Sequence, residues 1–174
     1  AEGKLERLPD LASELAGLKV DLIVAAATPG ARAAKQATTT IPVVMVGVGD
    51  PVRLGYVASL ARPGGNITGL SSMSVDLGPK RLELLKEVVP TVSRVSVMYS
   101  PADPARALEV RDMRAAAGKL GLRLQSVEVL SLDEIERAFS TMTQERPDAL
   151  IALQDPLTIR HRARIADLAL KSRL

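Results

Sequence analysis

Short apolar runs recur along the chain at similar spacing, and four of them stop at a small polar residue followed by proline. Val20–Ala27 runs into Thr28-Pro29, Pro42–Gly49 into Asp50-Pro51, Arg94–Tyr99 into Ser100-Pro101, and Ala149–Leu153 into Gln154-Asp155-Pro156. With Ile67–Leu70 and a run near Leu122 they make six strand candidates. The segments between them carry apolar residues at helical spacing, such as Leu11, Leu15 and Leu18, or Leu82, Leu85 and Val89. The helices this predicts are Asp10–Leu18, Pro29–Ala37, Pro51–Ala61, Pro79–Val89, Asp103–Leu120, a segment from Ser131 through Thr143, and Pro156–Lys171. Asp10 is the expected cap of the first. Asp103-Pro104 opens the fifth and Gly121 closes it, while Ser131 with Glu134 has capping-box spacing.

Strand and helix alternate throughout, which predicts parallel strands joined by right-handed crossovers. The rhythm breaks at Arg62–Leu77, where Pro-Gly-Gly-Asn, a short strand and several serines follow one another. That stretch reads as the crossover from one sub-domain to the next. The expected fold class is α/β, with two Rossmann-like lobes and parallel sheets: residues 1–72 and residues 73–174. A doubly wound lobe places its first strand in mid-sheet. The chain begins on a helix pattern, so both lobes are expected to be incomplete, the first without its first β–α–β unit and the second without its last strands. The strand near Val20 would then have an unpaired edge and invite self-association.

Composition narrows the chemistry. One Phe, two Tyr and no Trp leave an aliphatic core, which suits buried parallel strands and Ala-rich helices. It argues against single-stranded nucleic-acid binding, which uses aromatic platforms. A net charge of +3 without a long basic block demands no polyanion partner. The absence of cysteine excludes disulfides and thiolate chemistry. No apolar run approaches the ~18 residues of a membrane span, and the polar start Ala1-Glu2-Gly3-Lys4 is no leader. Arg160, Arg162 and Arg164 around His161 read as a solvated helix surface. His161 has no acid partner in sequence, and neither G-x-S-x-G nor H-E-x-x-H occurs. No catalytic residue, metal or cofactor is expected.

The strand ends are the candidate site. In open α/β sheets ligands bind outside the carboxyl ends of strands, where helix N-termini present free N–H groups. The candidates are Thr28, Pro29, Asp50, Pro51, Ser71, Tyr99, Ser100 and Asp155. Thr28 can cap a helix or, with the N–H groups of Gly30 and Ala31, receive a carboxylate. Asp50 and Asp155 can cap helices or pair with an ammonium. Ser71 and Ser72 offer hydroxyls, and Tyr99 a pocket wall. Gly47-Val48-Gly49 starts a dinucleotide fingerprint, but Val52 stands where its third glycine belongs and Asp50 would repel pyrophosphate. The set suits a small polar molecule rather than metal or thiol chemistry.

These stretches resemble the ABC-transporter substrate-binding proteins of the TrpX-like type. The resemblance is carried by Leu18–Val24, Thr28-Pro29, Ala34–Thr38, Ile41–Val44, Val48–Val52, Lys80–Lys86, and Asp155-Pro156 with His161-Arg162. Its most specific stretch is Ala58–Ser71, with Arg62-Pro63-Gly64-Gly65-Asn66-Ile67-Thr68-Gly69 at its centre. The resemblance implies a type I periplasmic-binding-protein fold whose lobes close over a ligand by hinge motion near Gly69–Ser74. It implies a non-catalytic, periplasmic or extracytoplasmic protein that binds an amino acid or related zwitterion and works with a membrane permease, its leader lying outside this sequence. Ser100-Pro101 departs from the Asn-Pro of many relatives. A ligand-sensing effector domain of a regulator is the alternative. An enzyme using Asp50 with Lys80 or Lys86 as a phosphoacceptor site lacks the required acid cluster, since Asp50 and Asp155 fall in different lobes.

Overall fold

A computed structural model describes residue 1 and residues 4–174, with Thr143 described by its backbone alone, so the Glu2-Gly3 part of the polar start lies outside the described residues. They divide into two compact units: residues 1–75 with 102–105, and residues 76–101 with 106–174.

In the first unit, α1 (Leu8–Gly17), β1 (Ile23–Ala26), α2 (Ala27–Ala37), β2 (Val43–Gly49) and β3 (Ile67–Ser72) follow in order. The strands form a parallel sheet in the order β1-β2-β3, with Ile23 opposite Val43 and Val43 opposite Ile67. Ile23, Ala25, Val43, Met45 and Ile67 pack with Ala31 and Ala34 of α2, whose small side chains let the helix lie close to the sheet. On the opposite face Val24 is 65% exposed, Val46 39% and Leu70 68%. The aliphatic composition suggests strands buried on both faces; this sheet is covered on one, so β1 alternates buried and exposed.

Several expected boundaries move. Asp10 is not the cap of α1: Arg7 is, because Pro9 fits the first helical turn and draws the start back to Leu8, behind a 3-10 turn at Leu5–Arg7. β1 ends at Ala26, and Ala27, at φ 58°, opens α2, so Thr28 and Pro29 lie inside its first turn. The expected helix Pro51–Ala61 does not form. One turn closes, with the Leu54 N–H donating to the Asp50 carbonyl and the Tyr56 and Val57 N–H groups to that of Pro51. Gly55 at φ 69° then breaks the helical path. β3 runs two residues past Leu70, so Gly69–Ser72 of the expected hinge belong to a strand. A bulge at Gly47 shifts the register and sets Ser71 opposite Val48 and Ser72 opposite Gly49.

In the second unit, α3 (Leu77–Val88), β4 (Arg94–Tyr99), α4 (Pro104–Lys119, in this unit from Arg106), β5 (Arg123–Glu128), α5 (Leu132–Glu145), β6 (Ala149–Ala152), α6 (Pro156–Arg160) and α7 (Arg162–Ser172) surround a parallel sheet of order β5-β4-β6. Central β4 is buried from Val95 to Tyr99. Its Val95, Val97 and Tyr99 pack with Leu82, Val110 and Met113, while Met98 packs with Ile135, Phe139 and Ile165. Both faces are covered, and each fully buried aliphatic side chain contributes roughly 1.5–3 kcal/mol. Gly121 closes α4 at φ 67°, as its position implies. Ser131 caps α5 by accepting the Glu134 N–H at 3.2 Å, but the Glu134 carboxylate reaches one residue further back, to the Leu130 N–H at 2.7 Å. The expected last helix Pro156–Lys171 is broken: His161, at φ −104° and ψ 17°, separates α6 from α7 where no proline or glycine marks the break.

Candidate functional site

In the first unit the candidates converge on the end of β2. The Thr28 hydroxyl accepts the Gly49 N–H at 3.2 Å, and Thr28 is 1% exposed. The Ser71 hydroxyl donates to the Val48 carbonyl at 3.3 Å. Two hydroxyls expected at a ligand thus brace the last residues of β2. Asp50 follows at φ 44°; its Oδ1 accepts the Arg53 N–H at 3.0 Å and its Oδ2 lies 3.3 Å from Arg53 Nε. Pro29 is buried in the first turn of α2, and Pro51 is buried beneath the turn it starts.

Tyr56, at the end of that turn, is a residue the sequence reading passed over. It belongs to the buried core cluster of this unit and is 9% exposed. Its hydroxyl is buried and has no hydrogen-bond partner among the described residues. Burial pushes the phenol above its ordinary range; the Arg32 guanidinium opposes this and the Asp103 carboxylate adds to it more weakly. Asp103 belongs to this unit and caps the start of α4 through the Ala105 N–H at 2.9 Å. The available signal was rarity: the chain has two tyrosines, and this one sits five residues after Pro51.

In the second unit Ser100 and Asp155 meet directly. Asp155 Oδ2 accepts the Ser100 N–H at 2.8 Å, and Oδ1 accepts the Leu157 and Thr158 N–H groups at 2.9 Å each. The Asp155 N–H donates back to the Thr158 hydroxyl at 3.1 Å, completing a capping box. Asp155 is 1% exposed and Ser100 2%, so this carboxylate ties the end of β4 to the start of α6. The Tyr99 hydroxyl donates to Glu128 Oε1 at 2.7 Å, its partner in the β4–β5 register. Burial, then that bond, pushes the Tyr99 phenol up to about 12. An ion cluster that no sequence motif marks also lies in this unit, where buried Glu109 takes Arg81 at 2.6 Å and buried Arg106. It lies within the helical layer, where a Cβ on Gly78 would come 2.9 Å from Glu109 Cγ. An open groove of about 350 Å³ lined by Pro79, Glu83, Asp112, Ala116 and Lys119 also belongs to α3 and α4, away from the strand ends. Among the described residues no three acidic or histidine side chains gather as a metal site, and no helix is long and apolar enough to cross a membrane.

The model of the family described as ABC transporter substrate binding protein matches residues 1–173. This chain belongs to that family. A tyrosine-binding protein of Clostridioides difficile (strain R20291) is 34% identical over 143 residues, which are 82% of this chain and 41% of that protein. The structure of a domain from Streptococcus pneumonia in complex with L-Trp matches with a TM-score of 0.87 at 29% identity, over 98% of this chain and 57% of that one. A conserved domain protein from Vibrio cholerae matches at 0.89 and 30%, over 99% and 57%. This chain therefore spans about half the length of these relatives. Its α/β units with parallel sheets are those of the type I periplasmic-binding-protein fold.

Proposed function

We propose that this chain is the ligand-holding part of an extracytoplasmic ABC-importer subunit that binds an amino acid, of the aromatic class, without catalysis. The observation that carries this is the family match, which spans every polar strand end from Thr28 to Asp155. The relatives that bind L-Trp or tyrosine support the ligand class. In the first unit Thr28, Pro29, Asp50, Pro51 and Ser71 shape the ligand-facing edge, with Asp50 as the partner for the ammonium. In the second, Tyr99, Ser100 and Asp155 do so, Asp155 acting by holding Ser100. A membrane permease is the functional partner. β1 is an edge strand of its sheet, and that edge is where this chain on its own would pair with a second copy.

Calorimetry of the full-length protein against a panel of amino acids, nucleotides and sugars tests the reading. Saturable binding of tryptophan, tyrosine or phenylalanine is expected. Binding of a nucleotide or an anionic sugar, with no amino acid bound, would end it.

A further inference from the structure

Tyr56 closes the turn that Asp50 and Pro51 open at the carboxyl end of β2, and its N–H donates to the Pro51 carbonyl at 2.8 Å. Tyr56 belongs to the buried core cluster, and its hydroxyl is shielded from water in this conformation. Buried polar groups in native proteins are nearly always bonded, and each exception calls for an explanation. Here the exception belongs to the residue that closes the turn leaving the carboxyl end of β2, the side of open α/β sheets on which ligands are taken. We propose that Tyr56 is a ligand-contacting residue whose hydroxyl donates a hydrogen bond to the α-carboxylate of the bound amino acid, with Arg32 as the neighbouring cation. This rests on the amino-acid reading above and adds a residue to it.

The choice of the carboxylate follows from the surroundings. A phenol held above its ordinary range is a neutral donor at physiological pH, and a carboxylate is an acceptor that lacks any hydrogen of its own. Arg32 is exposed on α2 and, among the described residues, makes no ion pair that would engage it. Its charge favours an anion near the phenol and disfavours an ammonium there. Asp103 acts in the opposite sense and more weakly. A hydrogen bond donated to a charged group is among the stronger ones, so its loss shows clearly in affinity.

The experiment compares the full-length protein with its Tyr56→Phe variant, using L-tryptophan, L-tyrosine and L-tryptophanamide as probes. Without its hydroxyl the variant is expected to lose about tenfold or more in affinity for both amino acids. Its preference for L-tryptophan over the amide is expected to shrink by a similar factor. The ligand-free melting temperature is expected to stay level or rise, because an unbonded buried hydroxyl is removed. Unchanged amino-acid affinity in the variant overturns the proposal while leaving the function standing. A ligand-free variant that melts clearly lower also overturns it, since the hydroxyl would then be bonded already, to an internal water. If the parent protein binds no amino acid, the functional reading itself fails and the proposal falls with it.

Discussion

Replacing Asp155 by alanine separates two roles that a carboxylate at a strand end can play. The structure engages both oxygens, taking the N–H groups of Ser100, Leu157 and Thr158 at 2.8–2.9 Å in a site 1% exposed. Losing a helix cap costs about 1 kcal/mol and up to 2. Losing a buried charged bond to the Ser100 N–H costs roughly 1.5–3 kcal/mol. Together the Asp155→Ala change is expected to destabilise the second unit by about 3–4 kcal/mol, a fall in melting temperature of roughly 6–16 °C for a protein of this size. Asp155→Asn keeps one acceptor oxygen but turns an amide NH₂ toward a backbone N–H, so about half that loss or more is expected. Circular-dichroism melts measure the stability, and amide hydrogen exchange at Ser100 and Thr158 localises it. An alanine variant within about 1 kcal/mol of the parent, yet unable to bind ligand, would refute the reasoning: the carboxylate would then belong to the ligand rather than to the β4–α6 junction.

Two further changes test other parts of the fold. Gly69 has φ 135°, and a Cβ there would lie 2.0 Å from the Met45 carbonyl oxygen, so Gly69→Ala is expected to cost about 3 kcal/mol or more and to disturb the β2–β3 pairing. Gly65→Ala, which meets nothing within 4 Å, is the control and should stay within about 0.5 kcal/mol; equal urea midpoints for the two variants would contradict the strand geometry. Asp148 is held at about 2, against an ordinary value of 3.8, first by the Ser93 N–H, then by the Arg94 N–H and the Ser93 hydroxyl. Its folded value is depressed, so the stability it contributes is present above about pH 4 and lost as pH falls toward 2. Asp148→Asn is expected to flatten the acid-induced fall of the urea midpoint across that window, and an unaltered slope would dismiss the contribution.

Much of the frame was legible because apolar runs and their terminators carry local physics. The β4 run Arg94–Tyr99 matches its strand residue for residue, and Gly121 and Ser131 mark helix ends where their chemistry requires. The expected helix after Asp50-Pro51 failed because a start signal does not guarantee continuation: Gly55 takes a left-handed conformation after one turn. The break at His161 left no trace in residue type. Burial was the least legible property. β1 alternates although all four of its residues are aliphatic, while β4 is buried from Val95 to Tyr99 although it includes Ser96, because burial depends on what lies on the second face of each sheet. Tyr56 escaped for the same reason, since a hydroxyl without a partner is visible only once the groups around it are placed.

The two aspartates at the strand ends show why residue type alone could not assign the site. Both cap a turn, but they differ in what remains for a ligand. Asp155 meets three fixed backbone N–H groups in a fully buried setting, and an ammonium could reach it only by undoing the junction it holds. Asp50 has one backbone bond and one ion pair, both with Arg53, whose side chain is 33% exposed against 15% for the carboxylate. A partly exposed ion pair contributes little, about 0–1 kcal/mol, so the proposed exchange of Arg53 for a ligand ammonium would cost the protein little while the backbone cap stays in place. The same accounting separates the hydroxyls. Thr28 is committed as an acceptor to Gly49, Tyr99 donates to Glu128, and Tyr56 alone of these is buried without a bond. The proposed binding chemistry of the first unit therefore centres on Asp50, whose ion pair with Arg53 is partly open to solvent, and on Tyr56, whose buried hydroxyl has no bond among the described residues.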